Sequence, residues 1–262
     1  MRTEHALALT AVLLTTTLTL QHWSRPQLIQ VHAINMAGPA GALRRGHLAR
    51  TFGDAAFPYV AWPAVSPPAA YTAAWAKDTR KRRQRHRYFN GRVMQTPSSL
   101  ALTLSHQSIY QHLLSNLTAA WIVVAEDDVV VKSNFGALLE AALGQADPKK
   151  HDVVRLASRA PSGLCDPAEL TVAPETTPQP GAFLYAVSRK GAALLTSKMP
   201  NRKCAGQDGR SCTDKGMSPE GYFGADALIS SSYVNRATVS CWLGHHDDAP
   251  TIVAGGRHAL DA

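Results

Sequence analysis

The stretch Trp121-Ile122-Val123-Val124-Ala125-Glu126-Asp127-Asp128 decides how this chain is read. Its first five residues form an unbroken apolar run with β-branched members, the pattern of a short strand buried on both faces. Its last three are adjacent acids, which repel one another and are costly to fold against a core strand unless a cation compensates. In open α/β sheets, ligands bind beyond the carboxyl ends of the strands. A hard divalent ion, Mn2+ or Mg2+, suits such a place because it binds carboxylates and ligand phosphates together. A solvated acidic turn is the competing reading of the same three residues.

Upstream, Leu28 to Ile34 reads as a first buried strand, broken by Asn35 and the Gly38-Pro39 pair. A helical pattern from Leu43 to Phe52 carries Arg44 and Arg45, and Phe57 to Ala61 is a second short strand. Thr96 is a good N-cap and Pro97 a good first residue for a helix to about Ser115. Leu102, His106, Ile109 and Leu113 share one face of that helix, where His106 reads as a core histidine.

Downstream, Ser133 is placed to cap a helix whose Phe135, Leu138, Leu139, Ala142 and Leu143 form an apolar stripe. Asp152 to Ala157 and Ala182 to Val187 are further strands, and Ser188 caps a helix to about Lys198. Residues 160–180 hold five prolines and no period, which reads as a mobile loop. Tyr222 to Tyr233 looks helical, and Ala237 to Trp242 is a last strand. Strands alternating with helices predict a single α/β domain with a mainly parallel central sheet flanked by helices.

Composition narrows the class. The chain has 262 residues and a formal net charge of +8, with an apolar fraction of 45% that is too high for a mainly disordered protein. It shows no Gly-X-Y period, heptad or long repeat, which excludes collagen, coiled coil and solenoid. The charge is local: Lys77 to Arg87 holds seven of the 27 cations and one of the 19 acids. Without that run the balance is +2. A polyanion-binding role for the run is one alternative, but no nucleic-acid motif surrounds it, so it reads as a basic loop serving phosphate-bearing or acidic substrates.

Ala6 to Leu20 is uncharged and apolar, just after Arg2, and reads as a signal-anchor or signal segment. The expected organisation is therefore a targeting segment and stem over residues 1–27, then a catalytic domain over 28–262. Contact with membrane is expected through the first segment only. The four cysteines contain no C-x-x-C pair, which argues against a zinc ribbon. Following a secretory signal, they suggest two disulfides, with Cys204 to Cys212 as a local bridge. The sequon at Asn116 fits the same secretory compartment, ER or Golgi, with the protein anchored or lumenal.

Two further stretches carry candidate ligands or bases. Gly244-His245-His246-Asp247-Asp248 follows the last strand and offers imidazole and carboxylate groups. Asp226 stands ahead of the apolar Ala227-Leu228-Ile229, where it reads either as a helix cap or as a base.

Taken together, Leu104-Ser105-His106 with Tyr110, then Trp121 through Asp128, then Phe135, resemble the LSH…ILEDD…F pattern of glycosyltransferase family 25. Ile34-Asn35 with Arg44-Arg45 resembles its IN…RR unit. Gly181 through Tyr185 with Ser188-Arg189 and Gly191-Ala192 resembles its G-x-x-x-Y-x-x-S-R-x-G-A segment, and Asp226 falls on an Asp-x-x-Leu-like motif. The resemblance runs over roughly residues 28 to 246. It implies a GT-A-like fold, a UDP-sugar donor, a glycan or protein hydroxyl as acceptor, and inversion at the anomeric carbon. It implies that Glu126, Asp127, Asn35, Arg44 and Arg45 serve the donor. In this reading Asp128, with Glu126 and one of His245 and His246, holds Mn2+, and Asp226 is the base. Where the family commonly has G-E-I-G before its L-S-H, this chain has Ser98-Ser99-Leu100-Ala101. That departure leaves open a catalytically inactive member acting as a binding or adhesion module.

Overall fold

The computed structural model describes residues 29–35, 38–66, 69, 88–89, 92–93, 97–116, 118–159, 162–176, 181–199, 225, 229–230 and 232–247. The N-terminal segment, the basic run 77–87, the Cys204–Cys212 pair, Asp226 and most of the expected 222–233 helix lie outside the described residues.

The expected buried strand is there, as β5 (Trp121–Ala125), with every residue buried. It lies beside β1 (Val31–Asn35), which in turn pairs with β2 (Tyr59–Pro63); both pairings are parallel. On its other side β5 meets β10 (Leu184–Ser188) in antiparallel register. The sheet continues through β7 (Val153–Arg155), β11 (Arg236–Val239) and β9 (Val172–Pro174), in the order β2-β1-β5-β10-β7-β11-β9. Five of these seven strands run one way, while β10 and β9 run against them. The sheet is thus mainly parallel in direction, with one reversed strand inserted at its centre.

Four helices cover the two faces among the described residues. Helices α1 (Gly38–Asp54) and α3 (Phe135–Gln145) pack through Leu48, Phe52, Phe135, Leu138 and Leu139 against Val31, Ala33, Val123 and Ala125. Helices α2 (Pro97–Asn116) and α4 (Arg189–Lys198) pack through Ile109, Tyr110, Leu113 and Leu195 against Ile34, Ile122, Val124 and Val187. Successive strand residues point to opposite faces, so one apolar run supplies both cores. A second small sheet, in the order β6-β12-β8, joins β6 (Val129–Val131), β12 (Gly244–His246) and β8 (Ala157–Ser158) beside the carboxyl end of β5. A separate two-stranded ribbon pairs β3 (Tyr88–Phe89) with β4 (Arg92–Val93).

Local signals placed several elements well. The α3 stripe is buried as expected, and the Ser188 side chain caps α4 by accepting from the Gly191 N–H. The helix after β6, however, starts from Asn134 rather than Ser133, and the Asn134 amide donates to the Cys165 carbonyl at 3.1 Å instead of capping. The strand expected over Asp152 to Ala157 divides into β7 and β8 at Leu156, whose N–H turns to the Leu184 carbonyl. The proline-rich stretch is not a mobile loop over its described part. It forms β9, and a disulfide joins Cys165 to Cys241.

Candidate functional site

The strand alternation of β5 carries on into the acids that follow it. Glu126, in phase with Ile122 and Val124, is turned toward α2, while Asp127, in phase with Ala125, is turned toward α1. Each of the three acids meets a side chain from a different element. Asp127 is buried and ion-paired with Arg44 of α1. Glu126 Oε1 lies 3.6 Å from Nε2 of His106 on α2. Asp128 Oδ2 lies 3.1 Å from Nε2 of His246 on β12. The trio is thus met by one cation and two imidazoles, brought from far along the chain.

The backbone holds this arrangement. The Glu126 N–H donates to the Phe183 carbonyl at 2.8 Å, just before β10, and the Asp247 N–H donates to the Asp128 carbonyl at 2.8 Å. The Phe183 ring packs on the His246 ring at 4.5 Å. Gly181, at φ +101°, lets the chain turn into β10, and a Cβ there would meet the Phe183 ring at 2.2 Å. Its carbonyl accepts from buried Arg155, which also ion-pairs with Glu175 at 3.1 Å and donates to the Ser230 hydroxyl at 2.7 Å. Arg155 thereby ties the proline-rich segment and the 229–230 segment to the same end of the sheet.

The remaining sequence candidates divide. Asn35 ends β1, two residues past the Ala33–Ala125 pair, and so stands beside the acids. Its side chain accepts from Arg45 at 3.0 Å and donates to the Gly41 carbonyl at 3.2 Å. His245 does not accompany His246: adjacent residues of β12 face opposite ways, and His245 stands opposite Val130. Asp226 lies outside the described residues, though its neighbours Ala225 and Ile229 are helical and buried.

Three residues with a place in the site were not singled out for it from sequence. Phe183 braces both Glu126 and His246. His106, read as a core histidine, is fully buried but faces Glu126, and Tyr185 binds it. The signal was available in part, since His106 lies on the inward face of its helix, but the partner on β5 is not visible in local pattern.

Asp128 Oδ1 is buried and has no hydrogen-bond partner among the described residues. Among those residues, no group of three or more His, Cys, Asp or Glu side chains is gathered closely enough to hold a metal ion. A separate cavity of about 590 Å3 opens at the far end of β6, lined by Lys132, Ser133, Ser162 and Leu164 among others. The Lys132 amine is already committed there to the Gly163 carbonyl and the Cys165 sulfur, and burial lowers its pKa.

Against known proteins, the chain matches the family described as glycosyltransferase family 25 (LPS biosynthesis protein) over residues 30–190. That span runs from just before β1 into the start of α4 and contains Asn35, Arg44, Arg45, His106, the acid trio and Tyr185. It ends before Asp226 and His246. No curated protein matches the chain.

Proposed function

The chain belongs to glycosyltransferase family 25 and is a glycosyltransferase, and from that premise we propose that it moves galactose or glucose from a UDP-sugar to a hydroxyl of a glycan or protein. Transfer proceeds with inversion at the anomeric carbon and depends on Mn2+ or Mg2+. The observation that carries this reading is Asp128, whose Oδ2 is held by His246 while its buried Oδ1 lacks a hydrogen-bond partner among the described residues. A buried carboxylate oxygen left so is costly, and a divalent cation answers it.

The donor set fits such an ion. Mg2+ and Mn2+ in phosphate-handling sites bind through one or two carboxylates, with the substrate phosphates and water completing the sphere. Once bound, the ion would neutralise charge developing on the departing diphosphate. His246 orients the Asp128 carboxylate. Arg45, held by Asn35, and Arg44, beside Asp127, give the rim of β1 and α1 the positive charge that a diphosphate needs. Asp226 is the base in this reading, taking the acceptor hydroxyl proton as its oxygen attacks the anomeric carbon and the bond to UDP breaks.

The disulfide between Cys165 and Cys241 supports an oxidising, secretory compartment. Residues 1–27 would provide the anchor or signal. Among the described residues, no helix is long and apolar enough to cross a membrane.

The experiment is transfer or hydrolysis of a panel of UDP-sugars by the purified protein with Mn2+, using Asp128→Ala as control. Turnover that needs Mn2+ and disappears in the variant is the expected result. A wild-type protein inert toward every UDP-sugar, or a variant as active as wild type, sinks the reading.

A further inference from the structure

One edge of β6 is met by side chains of a helix. In the small sheet β6 is an edge strand, paired with β12 on one side. The Asp128 carbonyl accepts from the Asp247 N–H, and the Lys132 N–H donates to the Leu243 carbonyl, so residues 128 and 132 turn their backbone groups toward the β12 side. Residues 129 and 131 turn theirs the other way, toward α1. There Nε2 of His47 lies 2.9 Å from the Val129 carbonyl, and the Val131 N–H donates to the Thr51 hydroxyl at 2.9 Å. A carbonyl only accepts, so His47 Nε2 carries the proton. His47, Thr51, Val129 and Val131 are all buried, where an unpaired backbone group is costly.

These bonds keep a register. Arg44, His47 and Thr51 lie on one face of α1, three and four residues apart, and meet Asp127, Val129 and Val131 in that order. A helix advances about 4.5–6 Å over three or four residues and a strand about 6.6 Å over two, so successive turns of α1 keep step with alternate residues after β5. Asp128 stands between the first two of these contacts, with its carboxylate on His246 of β12.

We infer that His47 is a positioning residue for Asp128: by holding the Val129 carbonyl it fixes the backbone from which the Asp128 carboxylate reaches the divalent cation. Asp128 is then fixed in three ways, its carboxylate by His246, its own carbonyl by the Asp247 N–H, and the residue after it by His47. Without the His47 N–H, the Val129 carbonyl must turn to another donor. Because β12 holds Val130 in register opposite His245, that rotation is taken up on the Asp128 side. Thr51 makes its bond three residues past Asp128, at Val131, and anchors β6 without bearing on the carboxylate. This inference rests on the metal-dependent donor reading above.

The test titrates Mn2+ into protein saturated with UDP and reads the free ion by electron paramagnetic resonance, with urea unfolding of each variant alongside. His47→Ala should weaken Mn2+ binding by about tenfold, the scale on which groups supporting a metal-binding carboxylate act. His47→Gln, whose amide N–H stands in for that of Nε2, should restore most of the affinity. Thr51→Val removes a bond of the same kind farther along β6. It should lower the urea midpoint as His47→Ala does, yet leave Mn2+ affinity near that of wild type. A merely structural histidine would give the two variants equal Mn2+ affinities. That result, or a His47→Gln that binds no better than His47→Ala, overturns the inference and leaves the donor reading intact. Wild-type protein that takes up no Mn2+ with UDP present overturns both. If His47→Ala does not fold, His47→Asn, whose shorter amide stops short of Val129, carries the test. Mn2+ binding about threefold weaker supports the inference, and wild-type affinity overturns it.

Discussion

Asp128 and His246 are 118 residues apart in sequence and meet at 3.1 Å, because β6 and β12 pair antiparallel with Val129 opposite His246. His245, the next residue along β12, is carried to the other side of the same strand. Replacing His246 by Ala should therefore lower Mn2+-dependent turnover by about tenfold or more, the usual cost of losing a group that orients a metal-binding carboxylate. His245→Ala should leave turnover near wild type. Equal losses in the two variants would show that β12 does not set this division.

Arg44 and Asp127 make a second pair at the same strand end. Asp127 has a side chain only 7% exposed, so Arg44→Ala leaves a buried charge without its cation. The expected loss is about 2 kcal/mol of stability, measured from the urea midpoint. Adding Asp127→Asn should recover part of it, since the amide needs no counter-charge. No recovery in the double variant would mean that Arg44 acts through packing instead.

Acid should weaken the fold through His32. Burial, reinforced by nearby His112, lowers its pKa to about 4 from an ordinary 6.5. The folded chain thus binds this proton less readily than the unfolded chain. The contribution is fully present above pH 6.5 and is lost as pH falls toward 4, by about 3 kcal/mol at most. Unfolding free energies measured across that window should slope upward with pH, and His32→Leu should flatten the slope. An unchanged slope in the variant would assign the effect elsewhere.

The bridge between Cys165 and Cys241 closes a loop with a sequence separation of 76. On the loop-entropy account, replacing both residues with Ser should cost about 4 kcal/mol. The same loss should appear on adding reductant to the wild type, as a fall in Tm. A Tm indifferent to reductant and to both substitutions would contradict it.

What could be read from sequence was local. The β5 run, the α3 stripe and the Ser188 cap each declare themselves within a few residues, because burial and capping are short-range demands. Such signals cannot show which distant strands will pair. The polar Gly244-His245-His246 segment becomes β12 because β6 and β8 offer it free edges, and β9 forms in proline-rich sequence because β11 lies beside it. Within the site, the acids, Arg44 and His246 were named from sequence, but which acid each would meet was not, and His106 was read as a core residue, since these groups come from three separate parts of the chain.

That separation has a consequence for when activity can arise. Each acid is matched only after its own neighbour, α1, α2 or β12, has docked against the central strand. A chain in which one of these three elements is displaced lacks one of the three contacts, so the site is complete only when α1, α2 and β12 are all in place.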